Sequence, residues 1–315
     1  MKKKILITGG NGFLGTHLAL RFKKEFDVTL GSRNNKNNFL VEKKTSCNFF
    51  FLDLNDIHSI RDAITYCKPD IIIHAGATKY VGQAEANPFE CADVNIMGSC
   101  NVARTAIDKG VKLVIGISTD AATQPIQNFY GMSKAAMEKV FLSANKLSKT
   151  NFLCVRYGNV AWSTGSVFPI WQEMHKKNKM ILTTGPYMRR FFFTADDAVD
   201  LVYTALKNHK KVTGKILCPE MRSSRMIDIL KVWIKKFGGE YKIISEREGD
   251  RLDEYLIAEN EKDFTKTFNY KKKKYFLIDF KKKIKNSIGK AITSKNSRRL
   301  SQKEIDRLLS LNYSS

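Results

Sequence analysis

The sequence predicts an α/β fold, a doubly wound parallel sheet with a smaller C-terminal substrate lobe. Three observations predict it. Short apolar runs alternate with helix-length segments through residues 1–160. The first run passes straight into a glycine turn. After Tyr157 the alternation loosens into shorter, mixed segments. Continuous apolar strands between helices make a parallel sheet buried on both faces.

Lys4–Thr8 is the first strand, followed by Gly9-Gly10-Asn11-Gly12-Phe13-Leu14-Gly15 and an amphipathic segment to about Glu25. Gly10-x-Gly12-x-x-Gly15 in this strand–turn–helix setting is a dinucleotide fingerprint: the glycines admit a pyrophosphate to a helix N-terminus. The fold is then an NAD(P)-binding Rossmann fold. An ordinary glycine turn is the alternative. The second strand, Asp27–Leu30, ends in Gly31-Ser32-Arg33. NAD sites usually place an acid here on the ribose 2′-hydroxyl. Ser32 and Arg33 suit a 2′-phosphate instead, so the expected cofactor is NADP; a solvated loop Arg is the plainer reading.

Asn48–Asp53 reads as a strand, Asp56–Cys67 as a helix and Asp70–His74 as a strand. Pro88–Lys109 reads as one long helix, with Pro88 in its first turn. Val111–Ser118 and Asn151–Arg156 are strands flanking a helix over Asn128–Lys149. Tyr130 and Lys134 share a face of that helix. Tyrosine titrates near ~10, and service as a base at neutral pH needs a drop of roughly 3 units, about 4 kcal/mol. The Lys134 ammonium and a cofactor cation are the expected sources. Alone, such a pair also arises by chance.

Beyond Tyr157, residues 162–168 read as loop, Trp171–Met180 and Ala195–Lys207 as helices, Lys215–Cys218 as a strand and residues 223–237 as helix. Glu246–Ile257 turns from polar to apolar. The expected division is a cofactor domain over 1–160, rejoined by 190–210, and a substrate lobe over 161–189 and 211–315.

The 315 residues carry 54 Lys and Arg against 31 Asp and Glu, a formal net charge of +23. Such a surface attracts polyanions, from nucleic acid to a nucleotide-sugar. Residues 261–315 are densest, with 16 basic and 5 acidic side chains. Tyr270 and Tyr275 flank four lysines there, a pattern that stacks bases. Phe276-Leu-Ile278 reads instead as a packed strand with the lysines as its solvated edge, so nucleic acid is not the expected partner. Six cysteines without a Cys-x-x-Cys pair read as buried apolar groups in a reducing, cytoplasmic setting. Five scattered histidines suggest no metal site. Met1-Lys-Lys-Lys-Ile-Leu-Ile imitates a leader, but Thr8-Gly9-Gly10 cuts its apolar run short. No apolar run approaches the ~18 residues of a membrane span.

The glycine turn, Thr8 and Tyr130-x-x-x-Lys134 together resemble the extended short-chain dehydrogenase/reductase family. His74-Ala-Gly-Ala-Thr-Lys79, Glu85-Ala-Asn-Pro88, Asn95-Ile-Met-Gly98, Ser118-Thr-Asp120, Arg156-Tyr-Gly-Asn159, Gly165-Ser-Val167, Met188-Arg-Arg190, Arg247–Glu254 and Leu300–Ile305 are similar to bacterial UDP-N-acetylglucosamine 4,6-dehydratases of polysaccharide biosynthesis. The resemblance implies an NADP-dependent enzyme that oxidises C4 of a UDP-N-acetylhexosamine. It places the cofactor along Gly9, Gly12, Phe13, Leu14, Gly15, Ser32, Arg33, Asp53, Leu54, Ala75, Gly76, Ala77, Lys79, Asn95, Tyr130, Lys134 and Tyr157. Thr119 would hold the sugar O4, Tyr130 would take its proton, Lys134 would hold the nicotinamide ribose and Asp120 would protonate the departing C6 hydroxyl. Asn159, Ser166, Val167, Arg190, Arg251 and Glu254 would face the substrate. A homo-oligomer is expected.

The departures matter as much. Ala121 stands where that group typically has a Lys thought to act on the C5 proton. Lys79 fits the group, but Tyr80 replaces a His, Gly82 a Pro and Asp253 a His, all expected near the hexose. C4 oxidation follows from the motifs, while elimination across C5–C6 requires Lys79 or a water as base. A C4 epimerase or 4-ketoreductase is the alternative. A protein that binds NADP or nucleic acid without turnover is the second alternative.

Overall fold

The computed structural model describes residues 2–33, 36–245 and 249–311. Met1, residues 34–35, Glu246, the Arg247-Glu248 start of the Arg247–Glu254 motif and residues 312–315 of the tail lie outside them.

The strands are β1 (Lys4–Thr8), β2 (Asp27–Ser32), β3 (Asn48–Phe51), β4 (Ile71–His74), β5 (Leu113–Thr119), β6 (Asn151–Tyr157), β7 (Asn159–Val160), β8 (Met180–Thr183), β9 (Arg189–Phe193), β10 (Ile216–Pro219), β11 (Arg222–Arg225), β12 (Glu240–Ile243), β13 (Tyr255–Ile257), β14 (Thr265–Tyr270), β15 (Lys273–Ile278) and β16 (Ile292–Thr293). The main sheet has nine strands in the order β14-β15-β10-β6-β5-β4-β1-β2-β3. From β3 to β10 every pairing is parallel. The order reverses between β1 and β4, which opens a crevice at their carboxyl ends.

The helices are α1 (Phe13–Phe22), α2 (Lys36–Thr45), α3 (Ile57–Cys67), α4 (Val81–Ala86), α5 (Pro88–Cys91), α6 (Gly98–Asp108), α7 (Phe129–Leu147), α8 (Val167–Asn178), α9 (Ala195–Lys207), α10 (His209–Val212), α11 (Met226–Phe237) and α12 (Gln302–Ser310). On one face α9 returns to pack on α1: the Tyr203 ring stacks on Phe22 at 6.0 Å, and Lys207 reaches Glu25 at 3.0 Å. On the other, α3, α6 and α7 pack together. Strands β1, β4, β5 and β6 are almost wholly buried, as their unbroken apolar runs require.

Five segments differ from the sequence reading. Residues 216–219 and 265–278, read as part of the substrate lobe, extend the main sheet; β15 pairs antiparallel with β10 and is capped by β14. Lys271 and Lys272, both at positive φ, turn that hairpin. Residues 222–225 form β11 rather than the start of a helix, because they pair antiparallel with β9. The expected Pro88–Lys109 helix contains a π-helical turn over Ala92–Met97 between α5 and α6. The helix expected over Trp171–Met180 begins earlier, at Val167, and Lys179 in the left-handed region ends it.

The lobe has its own core. Trp162, Trp171 and Trp233 meet Phe168, Phe192 and Ile229 there, and α12 adds Ile305, Leu308 and Leu309. Burying each of these aliphatic side chains contributes roughly 1.5–3 kcal/mol. Ser301 and Glu304 form a capping box at the start of α12, and the Trp162 indole donates to the Leu308 carbonyl at 2.8 Å.

Candidate active site

A cleft of about 780 Å³ lies over the carboxyl ends of β1, β4 and β5, between the sheet and the lobe. At one end is the glycine turn. Gly9 adopts φ +68°, and a Cβ there would come within 2.7 Å of Gly76 Cα, so only glycine lets the β1 and β4 loops touch. A Cβ at Gly15 would meet the Gly9 carbonyl at 2.4 Å, which fixes α1 hard against the turn. Gly12, the N-cap of α1, supplies no side-chain cap. The first amides of α1 therefore face the cleft with the helix dipole behind them, a cradle suited to a pyrophosphate. Ser32 and Arg33 line the cleft at the end of β2, and Asp53 and Leu54 follow β3. The Ser32 hydroxyl donates to Asn38 Oδ1 at 2.8 Å, and Asn38 Nδ2 donates to the Arg33 carbonyl at 2.9 Å. The Arg33 side chain is exposed.

The floor is set by a buried polar chain. The Gly76 amide donates to Thr8 Oγ1 at 3.2 Å, and that hydroxyl lies 2.9 Å from His74 Nδ1. Burial first, then the Lys134 charge, pushes His74 down to about 3, so it is neutral. Thr8 then donates to Nδ1, and Nε2–H donates to Ser99 Oγ at 3.1 Å, which donates to the Asn95 carbonyl at 2.5 Å. Asn95 sits in the π-turn and lies behind the wall of the cleft. Its amide nitrogen donates to the Thr78 carbonyl at 2.8 Å and its oxygen accepts from the Thr78 amide at 2.8 Å. In this structure it braces the β4 loop, which carries Ala75, Gly76 and Ala77 onto the wall.

Thr119, Asp120, Tyr130 and Lys134 converge at the centre of the cleft. Asn128 caps α7 by accepting from the Gly131 amide at 2.8 Å. A Cβ at Gly131 would meet the Ala121 carbonyl oxygen at 2.3 Å, so this glycine lets the first turn of α7 close on the residues after β5. Lys134 is buried and contacts Met137 Sδ at 3.2 Å; burial pushes its ammonium down to about 8. The Tyr130 phenol is not lowered by its surroundings. Desolvation and then the Asp120 charge raise it, and hydrogen bonding to Thr119 opposes them.

Asp120 is 6% exposed. Thr119 Oγ1 donates to its Oδ1 at 3.0 Å, while Oδ2 has no hydrogen-bond partner among the described residues. A Cβ at Gly158 would stand 2.8 Å from Oδ2. Burial and then the Glu254 charge push the Asp120 carboxyl up to about 7, against the lowering effects of Arg251, Thr119 and Arg190. It is a carboxyl that keeps its proton close to neutrality, which is what a general acid requires.

Lys79 leaves the β4 loop and donates to the Thr164 carbonyl at 2.5 Å; desolvation lowers its ammonium. Beside it the Tyr80 ring fills the space that a Cβ on Gly165 would take. Tyr80, Gly82 and Ala121 all line the cleft, as do Tyr157, Asn159, Ser166, Val167, Arg190, Arg251 and Glu254. Asp253, expected beside the hexose, is elsewhere: it pairs with Arg189 at 3.1 Å and accepts from Ser294 at 3.0 Å. Sequence reasoning missed Gly158 and Thr164. Gly158 sat inside the quoted Arg156–Asn159 string, whereas a backbone carbonyl such as that of Thr164 leaves no sequence signal. Among the described residues there is no cluster of metal-ligating side chains, and no helix is long and apolar enough to cross a membrane.

Comparison with known proteins agrees with this layout. The sequence profile of the Polysaccharide biosynthesis protein family matches residues 5–276. The chain is 34% identical to the inverting UDP-N-acetylglucosamine 4,6-dehydratase of Campylobacter jejuni, over 85% of this chain and 82% of that protein. It is 33% identical to the UDP-glucose 4-epimerase of Rickettsia bellii, over 99% of this chain and 96% of that one. The solved structure of Pen from Bacillus thuringiensis superposes with a TM-score of 0.90 at 28% identity, covering 98% of this chain and 97% of the other. A glycine cradle at the switch point, a Thr–Tyr–Lys centre and these relatives lead to one conclusion: the chain belongs to the Polysaccharide biosynthesis protein family and is a nucleotide-sugar dehydratase or epimerase of the extended short-chain dehydrogenase/reductase type.

Proposed function

We propose that the protein is an NADP-dependent 4,6-dehydratase acting on a UDP-N-acetylhexosamine, with UDP-GlcNAc as the first substrate to test. The observation that carries the choice of elimination is Asp120. Inverting or reducing C4 needs Thr119, Tyr130 and Lys134, but no second acid. Expelling the C6 hydroxyl needs a proton donor, and a buried carboxyl with a free oxygen and a pKa near 7 is suited to supply it.

In this reading Thr119 holds O4 and Tyr130 takes its proton. A bound oxidised nicotinamide supplies the hydride acceptor and a positive charge that favours the phenolate. Asp120 gives its proton to the C6 oxygen. With Ala121 in the neighbouring position, Lys79 is the candidate for the C5 proton, since desolvation already favours its neutral amine. Arg33, exposed at the end of β2 with no carboxylate at that strand end, supports a 2′-phosphate and hence NADP. Asn159, Ser166, Val167 and Arg190 are proposed to face the sugar diphosphate. The buried cysteines, all free, are consistent with a cytoplasmic setting; we also propose a homo-oligomer.

A second reading, C4 epimerase, is favoured by Ala121, which leaves the cleft without an amine next to Asp120. Incubation with UDP-GlcNAc in deuterium oxide separates them. A product lighter by one water and carrying deuterium supports the dehydratase. A product of unchanged formula with inverted C4 supports the epimerase.

A further inference from the structure

Arg251 and Glu254 border the cleft, yet the terminal nitrogens of Arg251 are engaged by the protein. Arg251 is 5% exposed. Its Nη1 donates to the carbonyls of Thr123 and Pro125, each at 3.0 Å. Its Nη2 donates to the Asp120 carbonyl at 3.3 Å and pairs with Glu254 Oε2 at 2.7 Å. A guanidinium has five N–H donors; three on its terminal nitrogens are placed on backbone carbonyls, and the Glu254 carboxylate adds a close ion pair. Glu254 is anchored in turn. Its Oε1 lies 3.4 Å from Arg190 Nε. Its amide donates to Ser294 Oγ at 2.9 Å, and its carbonyl accepts from the Ser294 amide at 2.8 Å. A diphosphate reaching Arg251 would have to break bonds to three carbonyls, of which those of Asp120 and Thr123 are buried, and orphaned buried carbonyls are costly.

The three carbonyls belong to one segment, Asp120–Pro125, which begins with the proposed acid. We infer that Arg251 and Glu254 are positioning residues, a clasp that fixes this segment and aims the Asp120 carboxyl at the cleft, and not ligands of the nucleotide diphosphate. The inference rests on the reading of Asp120 as the acid. The charged groups facing Asp120 are Glu254, Arg251 and Arg190, with Tyr130 and Thr119 completing its surroundings. Glu254 thus has a second effect through the same geometry: its negative charge helps Asp120 keep a proton.

The test uses the full chain carrying Arg251→Ala, Arg251→Lys or Glu254→Gln. Amide hydrogen exchange over residues 119–127 is expected to rise roughly tenfold or more in Arg251→Ala, with exchange in the glycine turn unchanged. Affinity for UDP alone is expected to stay within about threefold of wild type. Where UDP-GlcNAc turns over, kcat falls about 10²-fold with KM little changed, as for a misaimed group. Arg251→Lys behaves like Arg251→Ala, because an ammonium cannot span three carbonyls. Glu254→Gln moves the alkaline limb of the pH profile to lower pH. A tenfold or greater loss of UDP affinity with unchanged loop exchange overturns the clasp, as does recovery of UDP affinity and rate by Arg251→Lys. Should Arg251→Ala not fold, Arg251→Lys and Glu254→Gln carry the same comparison. Exchange and UDP binding need no turnover, so they decide the clasp even if the wild type proves not to dehydrate UDP-GlcNAc.

Discussion

Thr119, Asp120 and Tyr130 sit where β5 meets α7, and their surroundings assign them different tasks. The phenol of Tyr130 is raised by desolvation and by Asp120, so its use as a base depends on positive charge nearby. Tyr130→Phe keeps the ring and removes the base. Turnover is expected to fall about 10²–10⁴-fold while cofactor affinity, measured by fluorescence titration, holds; a loss below about tenfold contradicts the assignment. Asp120 has the opposite requirement. Its folded-state value, raised to about 7 from the usual carboxylate range, means that the acid form is depleted as pH rises through 7. The kcat/KM profile is therefore expected to descend on its alkaline side near pH 7. By the same sign, stability contributed by the protonated group is full below its unfolded value of ~3.9 and lost as pH rises through the folded one. Thermal unfolding across pH 5–9 checks this: Asp120→Asn is expected to lose that dependence.

At the scale of elements, the segment leading into β14 is joined to the helix that carries Tyr130 by one buried ion cluster. Arg156 on β6 is 1% exposed and pairs with Glu138 of α7 and with Glu261, each at 2.7 Å. Burial opposes the Glu261 charge, but the Arg156 guanidinium prevails and holds its carboxyl below the usual range. Glu261→Gln leaves Arg156 short of a partner and is expected to cost about 3–5 kcal/mol at pH 7 in denaturant unfolding. A depressed acid stabilises above its unfolded value of ~4.3 and loses that contribution as pH falls through its folded one. The gap between wild type and variant should therefore shrink as pH drops below about 4. Equal stabilities at pH 7 would contradict the bridge. This is also the scale at which the sequence is read best and worst. Gly9–Gly15 before a helix and Tyr130-x-x-x-Lys134 on one were plain, because each pattern is local. The pairing of β11 with β9 and the docking of β15 on β10 were not, since these partners lie far off in sequence. The partners of Arg251 were hidden for the same reason: they are carbonyls of residues 120–125, and backbone atoms carry no residue-type signal. Asn95 was picked out by its motif, while the π-turn that faces it towards Thr78 was invisible.

For the whole molecule, a switch-point cleft roofed by a separate lobe is a frame that many nucleotide-sugar enzymes could share, and specificity lies in a few side chains. At the cofactor end the proposed discriminating residue is Arg33. Arg33→Asp is expected to lower the affinity for NADP and raise that for NAD, as an acid there holds a free ribose hydroxyl. An unchanged ratio of the two dissociation constants would make Arg33 a bystander. At the sugar end the central claim is that Asp120 turns C4 oxidation into loss of water. It is tested most directly by product mass spectrometry of wild type and Asp120→Asn, each incubated with UDP-GlcNAc in deuterium oxide. The account predicts a dehydrated, deuterated product from the wild type, and from the variant C4 oxidation with water loss reduced about 10²-fold or more. Dehydration by the variant at the wild-type rate, or a wild type that only inverts C4, would contradict it.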